Sequence, residues 1–349
     1  MSIITFGELL GRLSTPGTKR ICQSNNYESS FGGSESNVAA FLANIGHDVQ
    51  FVTRVPNSPI GKVSLMALHQ LGIKTDFSVF GGDRLGSYYM ETAASMRSSK
   101  VVYDREDSAF MTMTPQMIDW ENALNNASWF HWSGIALALS QSAADTCIKG
   151  LEIAQKKGIR LSCDLNYRKN LWKYGKTYEE IVRPLVGNSE IVFGSEDEYE
   201  VILGLEKGTF IGMTIDENGK FIINKPVCES VMQKVKTLYP NVRLFSCVMR
   251  LIVSSNHHIN AALIFDGKKI FYSKIYDIDN VVDCVGVGDA FAAAWIDGII
   301  RYENDLQKIV EYGSAASAIK NTIPGDFNLV SKEEIENLMN GNTNGRVQR

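Results

Sequence analysis

Short apolar runs and longer segments of helical period alternate along most of this chain. Residues 3–7 read as a buried strand ending at glycine. Ser34 is expected to cap a helix over residues 36–45, whose apolar side chains Val38, Phe41, Leu42 and Ile45 share one face. A strand at 49–55, a helix at 61–71 and a β-rich stretch at 87–103 follow. Beyond them the pattern predicts helix 115–124, strand 129–132, helix 142–157, strand 160–164 and helix 177–186. Strand 191–193 and helix 196–203 come next, and the rhythm recurs around 228–248. A strand-like run at 275–282 leads into a buried helix at 290–300. This β-α-β-α order predicts an α/β fold, a mostly parallel sheet with helices on both faces. Two stretches, about 9–31 and 84–110, break the rhythm and are rich in Tyr, Ser, Thr and Arg. They are expected to pair into a small β-sheet lid beside the main sheet. Residues 1–340 then form the folded unit, and 341–349 read as a mobile tail.

Composition narrows the function classes. At 349 residues, 44% apolar and 21% charged, the chain can bury a large core. Its net charge is −4, with no basic block longer than Lys156-Lys157 or Lys268-Lys269. Nucleic acid and anionic membrane are therefore not expected as partners. No apolar run approaches the ~18 residues of a spanning helix. The first residues lack a signal-peptide pattern. Cys22, Cys147, Cys163, Cys228, Cys247 and Cys284 are scattered without C-x-x-C or zinc spacing, as expected of reduced thiols in the cytoplasm.

The segment Asp283-Cys284-Val285-Gly286-Val287-Gly288-Asp289-Ala290-Phe291 carries the most chemistry. Its glycines free the backbone to turn just before a helix. Unpaired N–H groups and the positive end of the helix dipole then converge on one point, suited to a transferring phosphoryl group. Asp289, at the helix start, can accept or orient a hydroxyl proton. A second glycine site, Gly32-Gly33-Ser34-Glu35-Ser36-Asn37, also precedes a helix. There a ligand can approach the backbone closely, and Asn37 offers a donor and an acceptor together. Other motifs fail on inspection. Asn170 stands where a P-loop ending at Gly175-Lys176-Thr177 needs its first glycine, and Ser36 breaks the elbow G-x-S-x-G. The pair His257-His258 reads as a solvated turn, not a metal site.

Together, in this order and in a βα chain, the two glycine sites resemble the PfkB or ribokinase-like family of sugar kinases. The first signature, G-G-x-x-x-N, is matched by Gly32, Gly33 and Asn37. The second, D-T-x-G-A-G-D-x-F, is matched by Asp283, Gly286, Gly288, Asp289 and Phe291. The resemblance runs from Phe6-Gly7-Glu8 to Thr322-Ile323-Pro324-Gly325-Asp326-Phe327, and within the family it is greatest to 2-keto-3-deoxygluconate kinases. It implies a ribokinase-like fold and transfer of the γ-phosphoryl of ATP to the 6-hydroxyl of the sugar acid. Asp289 would be the base, and Gly286, Val287 and Gly288 the anion turn. Gly32, Gly33, Asn37, Tyr89, Tyr103, Arg105 and Arg168 would bind substrate, with both arginines on its carboxylate. Ser195 and Arg250 would lie near the nucleotide, and Glu198 would order the water shell of Mg²⁺. K⁺ is left open as a further cofactor. A homodimer, or a higher homo-oligomer, sharing lids is implied as well.

Three positions depart from the family pattern: Cys284 for threonine, Val287 for alanine or glycine, and Ser195 for asparagine. Val287 would be strained if the turn demanded positive φ there. Two alternatives follow, a kinase for fructose or another sugar, and a paralogue that binds a sugar acid without phosphorylating it.

Overall fold

A computed structural model describes residues 2–342. The nine-stranded main sheet runs, in spatial order, Ile270–Tyr272, His257–Phe265, Leu244–Ser254, Ile191–Ser195, Arg160–Asp164, Ala127–Ser133, Ser2–Phe6, Asp48–Val52. Tyr276–Ile278 pairs beside His257–Phe265 as the ninth strand. From Asp48–Val52 to Leu244–Ser254 every pairing is parallel, and only the edge around His257–Phe265 is antiparallel. A parallel sheet buries both faces, so its strands are apolar on both sides. Strand Ala127–Ser133 illustrates this. Phe130 and Trp132 enter a core with Phe6, Phe110 and Trp120, while Trp129 enters a second core with Phe41, Phe291 and Trp295. The second core is closed by helices Ser34–Asn44, Val287–Tyr302 and Leu306–Lys320. The alanines at 290 and 292–294 keep helix Val287–Tyr302 slim enough for neighbours to pack on several sides.

The expected elements are present with local shifts. Segment 115–124 splits into a 3-10 turn, Pro115–Met117, and a short helix, Trp120–Ala123. Asp119 causes the break: its side chain accepts the Asn122 N–H at 3.1 Å and starts a new helix. The helix expected from residue 36 begins at Ser34, and Gly33 takes the cap position. Of the run 275–282 only Tyr276–Ile278 is strand; Val281 and Val282 instead bond to Asn256 and Asn321 carbonyls at 2.8 and 2.7 Å. His257 and His258 open a strand rather than a turn.

The two rhythm-breaking stretches supply a separate four-stranded sheet, in the order Glu28–Gly32, Leu10–Ser14, Ser87–Glu91, Lys100–Asp104. Its central pairing is parallel, and the outer two are antiparallel. Of the tail, residues 343–349 lie outside the described residues. No described helix is long and apolar enough to cross a membrane.

Candidate active site

A cleft of about 940 Å³ opens where strands Ser2–Phe6, Arg160–Asp164 and Ile191–Ser195 end, beneath one face of the small sheet. In parallel α/β sheets the carboxyl ends of strands are where ligands bind, because the loops there are free to diverge.

The anion turn forms one wall. Gly286 adopts φ +80°, a left-handed conformation that glycine takes at no steric cost, and helix Val287–Tyr302 starts immediately after it. The positive φ therefore falls on Gly286, and Val287 is an ordinary helical residue, so the strain expected there does not arise. The space in front of Gly288 is open. The first-turn N–H groups of this helix have no intrahelical acceptor.

Asp289 joins this wall to the second glycine site, across 252 residues of sequence. Its carboxylate accepts the Asn37 amide at 2.7 Å and the Ser34 hydroxyl at 2.8 Å. Asn166, held at φ +38°, donates its amide to Ser34 Oγ at 2.8 Å. Gly33 lets the Glu8 backbone pass close by: a Cβ there would lie 2.1 Å from the Glu8 carbonyl oxygen. Gly32 sits just behind, against the Asp326 side chain. Burial raises the Asp289 pKa above the ordinary aspartate value, against the opposing bonds from Asn37 and Ser34. Burial also pushes Glu35 up to about 8, although the Ser133 hydroxyl bonds it at 2.5 Å. The shift favours the protonated form of Glu35 beside Asp289. Asp164 lies well above its usual range through burial, with further repulsion from Glu198 and Asp289.

The expected substrate residues are not equivalent. Arg168 lines the cleft with its side chain 52% exposed, and meets Glu198 at 3.3 Å. Arg105 also lines the cleft but is buried and already ion-paired: Nε donates to Glu8 Oε2 at 2.8 Å, and Nη2 donates to the same oxygen. Ser108 bonds the other oxygen of Glu8. Tyr103 faces the cleft, as does Tyr88, its cross-strand partner. Tyr89 does not. Successive strand residues point to opposite faces, and Tyr89 packs edge-on against Tyr27 on the far side. The substrate residue expected from sequence is Tyr89, whereas Tyr88 is the member of the pair that lines the cleft, since nothing local sets the parity.

On the opposite side of the cleft Ser195 caps helix Glu196–Leu203. Its N–H donates to Glu198 Oε2 at 2.8 Å, so a single carboxylate serves both the helix cap and Arg168. Arg250 lines the rim with an exposed side chain, and its N–H donates to Glu196 at 3.2 Å. Among the described residues no group of three His, Cys, Asp or Glu side chains could hold a metal ion. Ser34, Asn166, Asp164 and Asp326 line the cleft without having been singled out as site residues. For Ser34 and Asp164 a signal existed: one follows paired glycines and the other ends a strand.

A model of the pfkB family of carbohydrate kinases matches residues 2–331. The chain belongs to this family. It is a pfkB sugar kinase with the expected ribokinase-like α/β fold. It is 38% identical to the 2-dehydro-3-deoxygluconokinase of Thermotoga maritima, whose crystal structure superposes with a TM-score of 0.89, covering 98% of this chain and 100% of that one. It is 27% identical over 343 residues to the 2-dehydro-3-deoxygalactonokinase of Haloferax volcanii, covering 98% of each chain. With a 5-dehydro-2-deoxygluconokinase of Clostridium botulinum it shares 29% identity over 308 residues, 86% of this chain and 80% of the relative.

Proposed function

We propose that this pfkB kinase phosphorylates 2-keto-3-deoxygluconate at its 6-hydroxyl, using ATP and giving 2-keto-3-deoxy-6-phosphogluconate. The observation that carries the reading is one cleft holding Asp289, the anion turn and the half-exposed Arg168, which Glu198 meets through one nitrogen. The names of the three relatives, each a dehydro-deoxy sugar-acid kinase, support an acid as acceptor. Arg168 binds the substrate carboxylate, and Arg105, held by Glu8, presents its remaining N–H groups and the adjoining Tyr103. Gly33 and Asn37 lie against the sugar. Asp289 orients the acceptor hydroxyl and takes its proton, while Ser34 and Asn37 hold its carboxylate in place. N–H groups at Gly286–Asp289 stabilise charge on the transferring group. The small sheet serves as a lid that keeps water from the phosphoryl group.

ATP fits the side of the cleft bounded by Ser195 and Arg250. Mg²⁺ supplies charge neutralisation when bound. Asp164 and Glu198, which both line the cleft, would hold its water shell.

A coupled ADP-release assay with Mg-ATP, offering 2-keto-3-deoxygluconate and fructose separately, with and without K⁺, tests the reading. Turnover on the acid and none on fructose is expected. Turnover on fructose alone would favour the second reading, a neutral-sugar kinase, for which the neutralisation of Arg105 by Glu8 is the supporting observation. Silence on both with binding retained would point to the non-phosphorylating paralogue. Arg168→Ala is expected to raise the Michaelis constant for the acid by about 10- to 100-fold, the weight of a charge-assisted bond of roughly 1.5–3 kcal/mol. An equal rise for a neutral sugar would remove Arg168 from the carboxylate.

We also propose that two copies associate through the outer face of the small sheet, where Leu13, Tyr89 and Val102 lie in register. Sedimentation velocity is expected to give a dimer that Tyr89→Glu splits. A monomer at all concentrations would retire the proposal.

A further inference from the structure

We infer that Arg12 is a positioning residue for phosphoryl transfer: it fastens the small sheet to the anion turn, so that the turn is fully ordered only while that sheet covers the cleft. The inference rests on the kinase reading above.

Arg12 lies on small-sheet strand Leu10–Ser14, outside both glycine signatures, and is 4% exposed. Its Nη2 donates to Asp283 Oδ2 at 2.6 Å and its Nη1 to Asp326 Oδ1 at 2.8 Å. Each carboxylate belongs to a segment that shapes the turn. Asp283 accepts the N–H groups of Val285 and Gly325, both at 3.0 Å, and so ties the turn to the 325–326 segment. The Asp326 carbonyl oxygen is the atom that a Cβ on Gly286 would meet at 2.2 Å. Tyr88, on the neighbouring small-sheet strand, donates its hydroxyl to Asp326 Oδ1 at 2.6 Å. Two strands of the small sheet thus grip the two segments that set Gly286.

The arrangement is strongly charged as well as specific. Burial opposes the charge on Arg12, but the surroundings at Tyr88, Asp283 and Asp326 outweigh it, and its pKa is raised. If the small sheet lifts, the guanidinium leaves with it, and two buried carboxylates on adjoining segments lose the cation that bonds them both, with only the buried Lys320 ammonium left nearby. Their repulsion loosens the contact between residues 283–286 and 325–326. Order in the turn and closure of the sheet are therefore linked equilibria, each favouring the other. The N–H groups that stabilise the transferring phosphoryl are fully aimed only under a closed lid, which spares ATP from water when no acceptor is bound.

The test compares wild type with Arg12→Ala by steady-state kinetics and by amide hydrogen exchange without ligand. Expected in the variant is a kcat lower by about 30-fold or more, with the acceptor Michaelis constant within about threefold. Added guanidinium is expected to restore part of that kcat. Amides of residues 284–288 are expected to exchange faster, with strand Arg160–Asp164 unchanged. A kcat within threefold of wild type, a change confined to the Michaelis constant, or unaltered exchange at 284–288 would overturn the role. Should Arg12→Ala not fold, Tyr88→Phe removes only one bond to Asp326. Faster exchange at 284–288 is then expected, and its absence overturns the inference. If wild type itself fails to phosphorylate the acid, the substrate reading fails, and the exchange measurement still decides the role of Arg12.

Discussion

Asp289→Asn is expected to lower kcat by about 10² to 10⁴-fold while leaving the Michaelis constant for ATP nearly unchanged. The asparagine keeps the size of the side chain and can still meet Ser34 and Asn37, so the cleft is preserved. Only the capacity to take the acceptor proton is lost. The pH profile gives an independent check. Burial raises the Asp289 pKa, so the wild-type kcat rises with pH through a value above the ~3.9 of an ordinary aspartate. Below that value the carboxyl is protonated and cannot serve as base; above it activity is complete. The residual rate of the variant is expected to lack this limb. A variant within threefold of wild type, or one that keeps the same acid limb, would show that another group accepts the proton.

Gly286→Ala is expected to cost about 10² to 10³-fold in kcat through misplaced anion-turn donors. Two effects act at once. The residue holds φ +80°, where alanine is strained by roughly 1 kcal/mol or more, and its methyl would lie 2.2 Å from the Asp326 carbonyl. That carbonyl is not free to retreat, because Asp283 ties Gly325 and Arg12 ties the Asp326 side chain. Relief must come from the turn itself, which moves the N–H groups. Thermal denaturation run alongside the kinetics separates the effects: a small fall in Tm with a large fall in kcat is the expected pattern. Retained kcat in a folded variant would mean that this turn does not hold the transferring group.

The departures from family pattern at Val287 and Ser195 are absorbed structurally, each by a neighbour. Gly286 carries the positive φ that Val287 could not, and the Glu198 carboxylate accepts the Ser195 N–H at the start of the adjoining helix in spite of the short Ser195 side chain.

The chain alone determined the order of strands and helices, because a sheet buried on both faces demands apolar runs and its crossover helices demand a helical period. It also determined both glycine sites, since backbone that must turn or be approached closely selects glycine wherever it occurs in the fold. The tertiary structure alone decided what those sites meet. Tyr88 rather than Tyr89 faces the cleft, because strand parity is set by pairing with Leu10–Ser14 and not by residue type. Arg105 is buried against Glu8, and Arg168, which meets Glu198, stays half-exposed in the cleft, because charge partners far apart in sequence are chosen by packing. Ser34, Asn166 and Asp289 form one chain of hydrogen bonds, and Arg12 binds Asp283 and Asp326, on the same ground. Periodicity is local and legible along a sequence; the partner of a buried charge depends on which segments the fold brings together.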